Sequence, residues 1–102
     1  MRAKLSRNAQ QDLLDIGDYI AADDPRAARR FVARLKRRIR TAAAHPRAGR
    51  VVAEVGRDDV RELIEGNYRI VYAIRDRDIV VLTVFERHRL LRTPGTDTTE
   101  RT

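Results

Sequence analysis

Apolar residues recur at helical intervals along the first half of the chain and at alternate positions along the second. Ala9, Leu13, Ile16 and Ile20 are spaced by four, three and four residues, which sets them on one side of a helix. Ser6, just ahead, can accept hydrogen bonds from first-turn amides and so marks the helix start, while Arg2 to Leu5 reads as a short edge strand. Asp23-Asp24-Pro25 ends that helix and opens another, because proline suits the first helical position and Asp24 can cap it. The second helix carries its apolar stripe on Ala28, Phe31, Leu35, Ile39 and Ala42 and extends to about Ala44. Arg26, Arg30, Arg34, Arg37 and Arg38 fall largely on its other side. The tight connection folds the two into an antiparallel hairpin.

His45-Pro46 stops the helical pattern, and after Gly49 the periodicity becomes extended. Val51 to Ala53 and Val60 to Ile64 read as strands, and Gly66-Asn67 as a turn that tolerates positive φ. Tyr68 to Ile74 alternates Tyr68, Ile70, Tyr72 and Ile74 with Arg69, Val71 and Ala73, and Arg75 to Asp78 supplies the next turn. Ile79 to Phe85 sets Ile79, Val81 and Phe85 against Val80, Leu82 and Val84, which predicts a strand covered on both faces or nearly so. The predicted fold is α+β, in the order β-α-α-β-β-β, with the helical hairpin packed on one face of a small antiparallel sheet. The other face is expected to be bare and basic, with Arg61, Arg69, Arg87, His88 and Arg89 on it or at its rim. One domain over residues 1–92 is expected, followed by a flexible polar tail over 93–102, which has no apolar residue.

Charge sharpens this picture. Lys and Arg number 22 against 15 Asp and Glu, a net charge of +7, so acidic partners are expected: nucleic acid, a nucleoprotein surface or an acidic protein segment. The chain has no cysteine, which removes disulfides, thiolate metal sites and cysteine nucleophiles. No glycine-rich phosphate loop is present, and His45 and His88 are not at metal spacing, so neither cofactor nor metal is expected. No apolar run is long enough for a signal peptide or membrane span, and the expected location is the cytoplasm.

Specific residues then carry a family resemblance. Asp12-Leu13, Tyr19-Ile20, Asp24-Pro25 with Ala27-Ala28 and Phe31, His45-Pro46 to Gly49-Arg50, Val60-Arg61-Glu62-Leu63 and Tyr68-Arg69-Ile70-Val71-Tyr72 resemble, in order and spacing over roughly residues 5–90, the RelE/ParE superfamily of type II toxins. The closer likeness is to ParE-like toxins. The resemblance implies inhibition of DNA gyrase, with Arg61, Arg69, Arg87 and Arg89 meeting the target. It also implies a cognate antitoxin that orders on binding and wraps the hairpin through Leu13, Ile20, Phe31, Arg30 and Arg34.

The superfamily also holds ribosome-dependent mRNA endonucleases of the RelE and YoeB kinds. For those the resemblance implies Glu54 as base, Arg69 on the phosphate and His88 as acid, with ribosome and mRNA as partners. Two features depart from the nuclease pattern: the strand Arg61-Glu62-Leu63 lacks the expected lysines, and no tyrosine follows Tyr72. A third reading, from another class, is a non-toxic basic nucleic-acid-binding or adaptor module. Each candidate also has a plain structural reading: Glu54 as a solvated loop carboxylate, Arg69 in an ion pair with Glu62 or Glu86, His88 at a rim, and the arginine-rich helix as a solvated face.

Overall fold

The computed structural model describes residues 1–88; the expected contact Arg89 and the expected tail over 93–102 lie outside them. The elements run β1 (Arg2–Leu5), α1 (Arg7–Ala21), α2 (Pro25–Ala44), a single 3-10 turn (Pro46–Ala48), β2 (Arg50–Val51), β3 (Val60–Glu65), β4 (Tyr68–Ile74) and β5 (Asp78–Glu86). The caps are those the side chains dictate. Ser6 Oγ accepts from the Ala9 amide at 3.0 Å, and Asp24 Oδ1 accepts from the amides of Arg26 and Ala27 at 3.0 and 3.2 Å. Gly66, with φ of 59°, makes the β3–β4 turn.

The five strands are ordered β1-β5-β4-β3-β2. The pairs β2–β3, β3–β4 and β4–β5 are antiparallel, but β1 runs parallel to β5, so the sheet is mixed rather than wholly antiparallel as expected. The parallel edge joins segments more than seventy residues apart, and it is set where α1 begins. There the Ser6 amide donates to the Val81 carbonyl at 2.9 Å. Such a pairing leaves no local sequence signal, unlike the hairpins beside it.

Both helices lie on one side of the sheet. The main core packs Leu13, Ile16, Leu35 and Ile39 against Ile70, Tyr72, Ile79, Val81 and Val84, all buried. Burial of this order, at about 25 cal/mol per Å² of apolar surface, is the main favourable term in folding.

Between Val71 and Tyr72 the β4–β5 register slips, leaving Leu82 as the extra residue on β5. The slip reverses the alternation beyond it. Val84 is turned to the helices opposite Ile70, and Phe85 is turned to the other face opposite Arg69. The sequence pattern had assigned these two the other way round. Side chains of α1 and its N-cap satisfy the backbone groups at the bulge: Ser6 Oγ donates to the Leu82 carbonyl at 3.0 Å, and Asp12 Oδ2 accepts from the Val84 amide at 2.9 Å and also from the Thr83 hydroxyl at 2.7 Å.

Candidate functional site

The face away from the helices carries Arg69, Val71 and Ala73 of β4 beside Val60, Glu62 and Ile64 of β3. It is not bare. The segment between β2 and β3 folds back over it, and Val52, Val60 and Val71 form a second buried cluster with Val55, Leu82 and Phe85 packed around it. Glu54 rides on the same segment and is thereby brought above Arg69.

Arg69 therefore departs from expectation. It lies on the predicted face, but it is sealed there, only 6% exposed. Its Nε donates to Glu62 Oε1 at 2.7 Å, while Nη1 and Nη2 donate to the two carboxylate oxygens of Glu54 at 2.9 and 3.1 Å. The guanidinium carbon stands 5.0 Å from the centroid of the Phe85 ring, a cation–π contact that closes its far side. Arg50 Nη2 reaches the second oxygen of Glu62 at 3.2 Å, completing a group of two cations and two carboxylates. The Glu54 carboxylate, and after it that of Glu62, hold the Arg69 pKa above its ordinary value against the opposing effect of burial. Of the two plain alternatives, the ion pair with Glu62 is the one formed. It is a buried pair, and Glu54 is its second anion.

The structure places the three residues expected for RNA cleavage as follows. Glu54 and Arg69 are together, but as each other's partners; a phosphate reaching Arg69 would have to displace two carboxylates. His88 is exposed in the turn after β5 and makes no hydrogen bond or ion pair among the described residues. The arrangement neutralises charge and locks a loop.

Arg61 is also a correction. It faces Tyr72 across the β3–β4 pair, so it belongs to the helix side of the sheet. Its side chain is 11% exposed. Nη1 donates to the carbonyls of Gly49 and Arg47 at 2.9 and 3.0 Å, and Nε and Nη2 donate to the Asp58 carbonyl and carboxylate at 2.8 and 2.7 Å. It straps the turn before β2 to the segment leading into β3. Together with Arg47, which comes first in effect, it holds the Asp58 carboxyl below its ordinary value. Beside it, the Tyr72 hydroxyl donates to the Pro46 carbonyl at 2.6 Å and is pressed against Gly49. Arg87 is exposed after β5, its amide donating to the Asn67 carbonyl at 2.8 Å.

The helical hairpin offers a different kind of site. Between the outer sides of α1 and α2 runs a groove of about 470 Å³, lined by Leu13, Leu14, Gly17, Ala21, Ala28 and Val32 among others. Leu14, 62% exposed, stands at it as an apolar side chain without a core to enter. Gly17 keeps the floor open. Of the residues expected to contact a partner here, Leu13 lines the groove, whereas Ile20 and Phe31 pack against the main core. Arg34 pairs with Glu65 and stands over the Phe31 ring, and Arg30 is exposed. Sequence reasoning missed Leu14 and Val32 because both fall off the buried stripe, the position that marks them as available. Asp12, quoted there only for the resemblance, was given no acceptor role, because that role depends on a bulge visible only in the folded sheet.

Among the described residues, no cluster of three His, Cys, Asp or Glu could hold a metal ion, and no helix is long and apolar enough to cross a membrane.

Comparison with known proteins adds three findings. The family described as ParE toxin of type II toxin-antitoxin system, parDE, matches residues 3–91. "Putative toxin Y4kP" of Sinorhizobium fredii is 38% identical over 91 residues, covering 86% of this chain and 90% of that protein. A solved structure titled "Chromosomal ParDE TA system from P. aeruginosa" superposes with a TM-score of 0.70 at 25% identity, covering 84% of this chain and 95% of that one.

Proposed function

We propose that this chain, which belongs to the ParE toxin family of type II toxin-antitoxin systems, arrests growth by poisoning DNA gyrase and is held inactive by a cognate antitoxin. The observation that carries the target is the lock on Arg69. With its donors committed to Glu54 and Glu62, Arg69 is not free to take a phosphate, which favours a binding mode of action over RNA cleavage. A toxin that acts by binding needs no RNA-cleaving trio.

The antitoxin reading rests on the groove of the hairpin. An antitoxin segment disordered alone would offset its ordering cost by placing apolar side chains against Leu14 and Val32. The P. aeruginosa neighbour is titled as a ParDE TA system, which supports a partner of this kind. Such a toxin acts in the cytoplasm, where its target lies.

Purified chain, added to gyrase and relaxed plasmid, is expected to abolish supercoiling and trap cleaved DNA. Growth arrest with unaltered gyrase activity and with mRNA cut at codon positions in translating ribosomes would replace this reading by the endonuclease one. Unchanged growth on expression would support the non-toxic adaptor instead.

A further inference from the structure

α2 holds eight cations and no anion over Pro25–Ala44, more positive charge than the net +7 of the whole chain. Arg34 and Arg38 are used, both on Glu65. The remaining six, Arg26, Arg29, Arg30, Lys36, Arg37 and Arg40, are exposed and make no ion pair among the described residues. At 100° per residue they fall within an arc of about 120° on the side opposite the buried stripe, along roughly 21 Å of helix.

Local physics does not explain this ridge. Arg26 and Arg30, and Lys36 and Arg40, are like charges at a spacing of four, each pair unfavourable by a few tenths of a kcal/mol, and the first three arginines stand at the positive end of the helix dipole. We propose that the outward ridge of α2 is a docking surface for the phosphate backbone of duplex DNA.

Three features select DNA. Arg29 and Lys36, at the ridge's inner border, also line the hairpin groove, but the outward arc itself carries no apolar side chain larger than Ala33, so a flexible acidic peptide lying along it would find little to offset its ordering cost, whereas a duplex is already ordered. Duplex DNA carries one charge per about 1.7 Å of axis and releases counterions to arginines, so six cations over ~21 Å meet an excess of phosphates. The ridge also lacks Asn, Gln and Ser, and its neighbour Thr41 donates its hydroxyl to the Arg37 carbonyl at 3.1 Å. Binding should therefore be indifferent to base sequence, since arginines on phosphates position a protein without reading bases.

The test uses the full chain and a fluorescein-labelled duplex of about 24 base pairs in two scrambled sequences, read by anisotropy without gyrase, so its outcome is independent of the proposed target. For six phosphate contacts, affinity is expected to fall roughly a thousandfold between 50 and 200 mM salt, equally for both sequences. Arg26→Gln/Arg30→Gln/Arg37→Gln should reduce that fall to about fortyfold. Arg26→Lys/Arg30→Lys/Arg37→Lys should retain the full salt response, as should Arg7→Gln/Arg77→Gln, which removes exposed charge elsewhere; thermal melts confirm folding of each. No binding at 50 mM salt, an unchanged salt response in the glutamine variant, loss of that response in the lysine variant, or binding of polyglutamate in place of the duplex would each overturn the proposal.

Discussion

Replacing Arg69 by methionine tests whether the buried charge group holds the sheet's second face together. Methionine keeps most of the stem and removes the guanidinium. Glu62, whose side chain is 9% exposed, then loses contacts of 2.7 and 2.6 Å and keeps only Arg50 at 3.2 Å, an arginine whose own side chain is 69% exposed. Removing one member of a buried pair costs about 3–5 kcal/mol, because the other charge stays desolvated. Glu54, at 22% exposed, can turn to water and adds little. For a domain of this size each kcal/mol lowers Tm by about 4–8 °C, so Arg69→Met is expected to melt roughly 12–40 °C lower. Circular dichroism melts at pH 7 measure this. Adding Glu62→Gln removes the orphaned charge and should recover on the order of 1–3 kcal/mol. A single variant melting within about 4 °C of the parent, or a double variant no more stable than the single, would refute the account.

Further outcomes follow from other contacts. A Cβ at Gly49 would stand 2.5 Å from the Tyr72 oxygen and 2.9 Å from the Glu62 carbonyl, so Gly49→Ala should cost about 1–3 kcal/mol in urea unfolding. At Gly17 the nearest atom is Val32 Cγ2 at 3.5 Å, and Gly17→Ala should instead raise the urea midpoint, by up to about 1 kcal/mol of helix propensity. His88→Ala should leave growth arrest unchanged in an induction assay; loss of arrest with intact folding would restore the nuclease reading. Asp78 is held below its ordinary 3.8, chiefly by Lys4 and then by Arg2 across the β1–β5 edge. A depressed folded pKa gives stability that is complete above the unfolded value and drains as pH falls through the folded one. Melts between pH 5 and about pH 2 should therefore decline less steeply in Asp78→Asn.

The secondary elements were legible in the sequence for local reasons. Ser6 and Asp24-Pro25 carry cap chemistry, Leu13 to Ile20 and Ala28 to Ala42 carry helical spacing, and Gly66-Asn67 marks a turn. These signals lie within a few residues of what they specify. The element order and the helical hairpin against a sheet followed from them.

Tertiary structure decided whatever depends on two distant segments meeting. The parallel β1–β5 edge joins the ends of the described fold, and the groups freed by the Leu82 bulge are met by Ser6 and Asp12 from the start of α1 and its cap. That one slip moved Phe85 onto Arg69 and Val84 into the core, reversing what alternation alone predicts. Arg61 and Arg69 were read as open basic surface because their charge is visible in the sequence and the separate segments that enclose each of them are not. Whether an arginine is a free cation or a buried strap depends on which carboxylates the folded chain brings within 3 Å, and for Arg69 those are Glu62 from the neighbouring strand and Glu54 from a loop fifteen residues away.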